Sequence, residues 1–120
     1  IEDNIPNYLL LKAYLEETGV EIVHVVNGVT ALEKMKKKPW PDIILLDIQL
    51  PDISGFEVAS AIKKLNTGTK IIAQTAFAMR EDEQFALDNN CDDYIAKPIK
   101  KDVLLTKIHY YFDEIIVKEG

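Results

Sequence analysis

The strongest pattern along the chain is a set of short apolar runs that do not alternate. Residues 42–47, Asp-Ile-Ile-Leu-Leu-Asp, stand between Pro41 and a polar loop over Gln49 to Asp52. A strand whose successive side chains are all apolar is buried on both faces, which is the signature of a parallel sheet covered by helices. Lys70-Ile-Ile-Ala-Gln-Thr75 and the shorter Tyr94-Ile-Ala96 repeat the pattern, and Glu21 to Val26 reads as a less hydrophobic strand nearer an edge. Between these runs the period becomes helical. Pro6 suits a first helical turn, Leu9, Leu10, Ala13 and Tyr14 follow at spacings of three and four, and Gly19 supplies a stop. Ala31, Leu32 and Met35 predict a second helix that Pro39 must end. Ser54 with Glu57 is a capping-box pattern opening a third helix, with Phe56, Ala59, Ile62 and Leu65 inward and Thr67-Gly68 closing it. A fourth spans about Glu81 to Asn89, where Asn90 suits a left-handed cap. The last carries Leu104, Ile108, Tyr111, Phe112 and Ile115 on one stripe.

Strands alternating with helices at this length predict right-handed crossovers and a three-layer α/β domain over residues 1–120. Only Ile1 precedes the turn Glu2-Asp3-Asn4, yet the helix from residue 6 needs a strand of about five residues before it. The expectation is a first strand truncated here, with the natural chain beginning several residues earlier. The 120 residues are 48% hydrophobic and 28% charged, which fits one domain and excludes a two-domain enzyme. Twenty acidic against 14 basic side chains give a net charge of -6, which argues against direct grip on nucleic acid. The single cysteine, Cys91, cannot form an internal disulfide, and neither a membrane helix nor a signal peptide is apparent, so a cytoplasmic setting is expected.

In open parallel sheets ligands sit beyond the carboxyl ends of the strands. The polar residues there are Glu2 and Asp3, then Asp47, Thr75 and Lys97. Acids brought together on one rim repel one another unless a cation intervenes, and oxygen-only ligation suits Mg²⁺. Glu2-Asp3-Asn4, Asp47-Ile-Gln-Leu-Pro-Asp-Ile-Ser-Gly55, Thr75-Ala76 and Asp93-Tyr-Ile-Ala-Lys-Pro98 resemble, in order and spacing, the receiver domain of two-component response regulators.

That resemblance implies a flavodoxin-like fold, a five-stranded parallel sheet of order 2-1-3-4-5 with helices on both faces. It implies that Asp47 accepts a phosphoryl group from a phosphohistidine. Asp3 and Asp47 would ligate Mg²⁺ directly, Glu2 through water and Gln49 through its backbone carbonyl. Lys97, with a cis Lys97-Pro98 bond, would set its ammonium on the phosphoryl oxygens. Thr75 would donate its hydroxyl to the phosphoryl group, and Tyr94 would turn inward as the switch partner. The implied partners are a histidine kinase or a histidine phosphotransfer domain, with a homodimer through the face near the last helix as a further expectation, and no contact with nucleic acid or membrane. On this reading the domain catalyses its own phosphorylation and dephosphorylation without being a turnover enzyme.

Asn90 stands where glycine is usual in the family, and Gln49 stands at a position the family varies. The opening Asp3-Asn4-Ile5-Pro6-Asn7 and the stretch Gln74 to Met79 look similar to receivers of hybrid histidine kinases, so a bacterial hybrid kinase is one expected source. A Mg²⁺-dependent aspartyl-phosphate phosphatase would want an acid two residues after Asp47, where Gln49 stands. A flavin carrier would want a Ser/Thr/Gly-rich phosphate cradle after the first strand, where Glu2-Asp3-Asn4 stands instead. A receiver-like module that serves only as a docking surface is the remaining alternative. Cys91 reads as a small packing residue, His24 and His109 as ordinary surface or half-buried residues, and the cluster Lys34, Lys36, Lys37, Lys38 as a solvated helix end.

Overall fold

A computed structural model describes residues 1–65, 67–76 and 80–119, the side chains of 80–83 and 113–119 excepted. Its helices are α1 (Ile5–Leu15), α2 (Gly28–Lys34), α3 (Gly55–Lys64), α4 (Arg80–Asp88) and α5 (Lys101–Glu119), and its strands β1 (Ile43–Asp47), β2 (Lys70–Thr75) and β3 (Asp93–Ala96). The strands pair in parallel in the order β1-β2-β3, with Ile43 opposite Lys70 and Ile72 opposite Asp93.

Both faces of this sheet are covered, as the unalternating runs require. On one side Ile44, Leu46, Ile71 and Ala73 pack with Ala31 and Met35 near α2 and with Val58, Ala59 and Ile62 of α3. On the other, Ile72 and Ile95 meet Leu11 and Leu15 of α1 and Leu104, Ile108 and Tyr111 of α5. Leu46, Ile62, Ile71, Ile72 and Leu104 are fully buried, and each such side chain contributes about 1.5 to 3 kcal/mol.

The expected fold class holds, with a difference in strand count. Among the described residues the ladder has three strands, corresponding to 3-4-5 of the expected 2-1-3-4-5 order. The Ile1 nitrogen donates to the Leu45 carbonyl at 2.6 Å and the Asp47 N–H to the Ile1 carbonyl at 3.1 Å. On the other side the Glu2 N–H donates to the Val25 carbonyl at 3.0 Å. Ile1 and Glu2 thus occupy the lane of the expected first strand, between β1 and the segment around Val25. Two residues are too few to template a ladder, so the predicted strand over Glu21 to Val26 does not form.

The helix ends follow local chemistry. Asn4 caps α1 through Asn7 N, Asn27 caps α2 through Thr30 N, and Ser54 caps α3 through Phe56 N. Gly19, Gly68 and Asn90 take φ of 74, 77 and 76°, the left-handed stops expected of them. The inward stripe of α1 differs from the expected one. Leu9, Leu10 and Ala13 are exposed and Tyr14 half-buried, while Leu11 and Leu15 face the sheet. Three consecutive leucines leave the phase of the helix undetermined by pattern alone. In α3, Val58 is buried and Leu65 lies exposed. The side chain of Ile115, on the predicted α5 stripe, and the stretch Phe77 to Met79 lie outside what is described.

Gly55 opens α3 directly beneath the end of β1. A Cβ there would lie 2.7 Å from the Asp47 carbonyl oxygen and 2.7 Å from Ile48 Cα, both backbone atoms. Gly55→Ala is expected to lower stability by about 1 to 3 kcal/mol in urea denaturation, because backbone must move to admit the methyl group. An unchanged midpoint would show that the turn has slack.

Candidate functional site

The carboxyl ends of the strands carry the predicted residues to one rim. Glu2 follows the sheet lane of Ile1, Asp47 ends β1, Thr75 ends β2 and Lys97 follows β3. Ligand oxygens of Glu2, Asp3 and Asp47 all lie within 4.8 Å of one another. Glu2 and Asp47 are buried, Asp3 exposed. The Lys97 ammonium lies 2.9 Å from Asp47 Oδ2 and 3.7 Å from Glu2 Oε2, and the Lys97-Pro98 bond is cis as expected.

Each buried acid is also held by the turn that follows it. Asp47 Oδ1 accepts from Gln49 N at 2.9 Å, and Glu2 Oε1 accepts from Asn4 N at 3.0 Å. Glu2 Oε2 accepts from Asn7 Nδ2 at 2.6 Å. Burial pushes the Glu2 carboxyl above its ordinary range and nearby Asp47 adds to the rise; the donors Asn7 and Asn4 and the Lys97 ammonium oppose it. Two ionised carboxylates about 5 Å apart repel by about 3 kcal/mol at an effective dielectric near 20. One ammonium among three acids leaves the rim negative.

The loop after β1 is fastened from two sides. Gly55 N donates to the Ile48 carbonyl at 3.1 Å, and Ile48 N donates to the Gln74 carbonyl at 3.3 Å. Farther along, the Asp52 carboxylate accepts from Gly28 N at 3.0 Å and Val29 N at 2.9 Å, at the start of α2. Those two main-chain donors hold the Asp52 carboxyl below its usual value.

Among the other predicted residues, Thr75 is half-buried and its carbonyl accepts from Lys97 N at 2.7 Å, which ties the ends of β2 and β3 together. Tyr94 is half-buried against the core on the α2/α3 side, and the Lys107 ammonium lies 5.8 Å from its ring centre. Gln49 has an exposed side chain and meets Asp47 through its N–H. Cys91 is buried and its thiol is pushed up to about 11 by that burial, as befits a packing residue. His109 is exposed.

Three polar residues near the site escape the sequence patterns. Asn7 donates to Glu2, and the same Nδ2 lies 3.2 Å from Gln74 Oε1. His24 stacks on Tyr8 with ring centres 3.7 Å apart, and its Nε2 lies 2.7 Å from the Glu2 carbonyl. A carbonyl only accepts, so that nitrogen carries a proton. Gln74 was visible in principle, as a polar residue inside an otherwise apolar buried run. Nothing in the sequence marks His24 or Asn7 as partners of Glu2.

A family profile described as response regulator receiver domain matches residues 1–109. The polar-differentiation response regulator DivK of Brucella anthropi is 37% identical over 116 residues, covering 95% of this chain and 94% of that protein. The receiver domain of a Saccharomyces cerevisiae response regulator, co-crystallised with a histidine phosphotransfer signalling protein, superposes with a TM-score of 0.85 at 29% identity, covering 92% of this chain and 83% of that one. The receiver domain of a sensor histidine kinase from Pseudomonas aeruginosa, with a magnesium ion in its active-site cleft, gives a TM-score of 0.82 at 30% identity and 92% coverage of each chain. Among the described residues no helix is long and apolar enough to cross a membrane.

The raised Glu2 carboxyl carries a sign for stability. The folded chain holds that proton more tightly than the unfolded chain, so Glu2 lowers stability as pH rises above the ordinary glutamate value. Glu2→Gln is expected to melt higher than the parent at neutral pH in a chelator, with the difference closing as pH falls to the ordinary glutamate range. A lower melting temperature at neutral pH would show that the donors to Glu2 outweigh its burial.

Proposed function

The chain belongs to the response regulator receiver domain family, and on that premise we propose that it is a phosphorelay switch which takes a phosphoryl group onto Asp47. The observation that carries the reading is the meeting of Glu2, Asp3 and Asp47 within 4.8 Å with Lys97 at 2.9 Å from Asp47. The set is oxygen-only and anionic, which fits Mg²⁺, with Glu2, Asp3 and Asp47 and the Gln49 carbonyl as the residues to hold it. When bound, Mg²⁺ shields the carboxylate from the incoming anion and stabilises charge on the phosphoryl oxygens.

The chain's own residues do the rest. Asp47 offers a carboxylate oxygen as nucleophile: an O–P bond forms as the P–N bond to the donor imidazole breaks, and the bonding pair leaves on that imidazole nitrogen. Gln49 N fixes the carboxylate plane through Oδ1. Lys97 supplies a compact positive charge to Asp47 beforehand and to the phosphoryl oxygens afterwards. On this reading Thr75, at the end of β2, donates its hydroxyl to the arriving group, and Tyr94 repacks in response. A phosphoryl group adds close to two negative charges and strong acceptor oxygens, enough to bias two near-equal packings.

The donor is a phosphohistidine on a histidine kinase or on a histidine phosphotransfer domain. The chemistry at Asp47 is the same in a response regulator and in the receiver of a hybrid kinase. The DivK response regulators, 36 to 37% identical over 95% of this chain, support the response-regulator setting. The phosphatase reading is set aside because Gln49 stands where it requires an acid.

Incubation with acetyl phosphate and Mg²⁺ is expected to add the mass of one phosphoryl group to the intact protein, and Asp47→Asn to abolish the addition while circular dichroism stays unchanged. Labelling that survives in the variant would place the acceptor elsewhere.

A further inference from the structure

Gln74 is the one polar side chain in the buried stretch of β2, among Ile71, Ile72 and Ala73, and it has no exposed surface. A buried amide lowers stability unless its groups are bonded. Half of this one is not: Gln74 Nε2 has no hydrogen-bond partner. The other half is. Its Oε1 lies 3.2 Å from Asn7 Nδ2, and the same nitrogen donates to Glu2 Oε2 at 2.6 Å.

The pairing fixes which way Asn7 faces. Its Nδ2 carries two protons, one for Gln74 and one for Glu2. Turning the Asn7 amide over would set its oxygen against the Glu2 carboxylate, acceptor against acceptor, and against Gln74 Oε1 as well. Gln74 therefore biases Asn7 toward presenting a donor to Glu2, and Asn7 with Asn4 N holds both oxygens of that carboxylate. An apolar residue of similar size at position 74 would fill the same space without this bias.

We propose that Gln74 is a positioning residue, the outer member of a buried amide relay through Asn7 that aims the Glu2 carboxylate into the acidic cluster for a divalent cation. The relay rests on the reading of that cluster as a Mg²⁺ site. It assigns Gln74 a role opposed to stability: the orphan donor weakens the fold, while the acceptor beside it serves the cation.

The test is Mg²⁺ binding by calorimetry, with thermal melting in a chelator, on the full chain, Gln74→Leu, Asn7→Ala and the double variant. Gln74→Leu is expected to melt higher than the parent and yet bind Mg²⁺ about 10-fold more weakly, the low end of what outer partners of metal-binding groups contribute to affinity through orientation. Asn7→Ala is expected to weaken Mg²⁺ at least as much, and the double variant to bind no more weakly than Asn7→Ala alone. Unchanged affinity in Gln74→Leu, or losses that add in the double variant, would overturn the relay while leaving the cation site standing. Failure of the parent chain to bind Mg²⁺ at all would instead remove the reading on which the relay depends, and the relay with it.

Discussion

The structure is organised around an uncompensated charge. Glu2 and Asp47 are buried within ligand distance of each other and of Asp3, with one ammonium, Lys97, between the two buried acids. Burying carboxylates without neutralising them is costly, and proteins do so only where other groups hold the anions in place. Here the holding groups are main-chain and amide N–H donors, Gln49 N on Asp47 and Asn4 N and Asn7 Nδ2 on Glu2. These dipoles orient the acids without discharging them. The parallel sheet makes this achievable, because its strands all end on the same rim and its apolar interior removes water behind them.

Holding the charges imposes precision on the loops. The turn after β1 closes so tightly that only a hydrogen fits at position 55, where backbone of Asp47 and Ile48 would stand 2.7 Å from a Cβ. Asp52 then ties the far side of that turn to the start of α2. Asn4 serves twice, since its N–H donates to Glu2 and its side chain caps α1 through Asn7 N at 2.8 Å. The cap that starts the helix thus also sets the position from which Asn7 reaches Glu2.

Much of this was legible in the chain. Apolar runs at 42–47 and 70–75 announce doubly buried strands, and acids and a lysine at strand ends announce the rim. What the pattern could not decide has physical reasons. Leu9, Leu10 and Leu11 are equally apolar, so the inward phase of α1 comes from contact with Ile72 and Ile95 and not from periodicity. The segment over Glu21 to Val26 has strand composition, but a strand exists only with a neighbour to bond, and here that neighbour is Ile1 and Glu2 alone. His24 meets Glu2 through tertiary packing, 22 residues away along the chain, and Asn7 meets it through the local turn that the Asn4 cap sets, which no hydrophobic pattern marks. Gln74 did carry a sign, a polar residue where burial leaves no water, and such a residue asks for a partner.

The rim is also joined to the helix layer behind it through β3. At one end of that strand Lys97 is bonded to Asp47. At the other, Asp93 accepts from Lys107 of α5 at 3.0 and 3.1 Å and from the Tyr111 hydroxyl at 3.0 Å. Between them Tyr94 turns to the α2/α3 side, with Lys107 near its ring, while Ile95 turns to α1 and α5. Ion pairs therefore hold both ends of a short strand in a close-packed interior. Any change of charge at Asp47 acts first on Lys97, and the strand that carries Lys97 is anchored at its other end to α5. Alternation along the strand thus sends Tyr94 and Ile95 to opposite faces of the sheet, while its two ends carry the ion pairs that tie it to Asp47 of the rim and to Lys107 of α5.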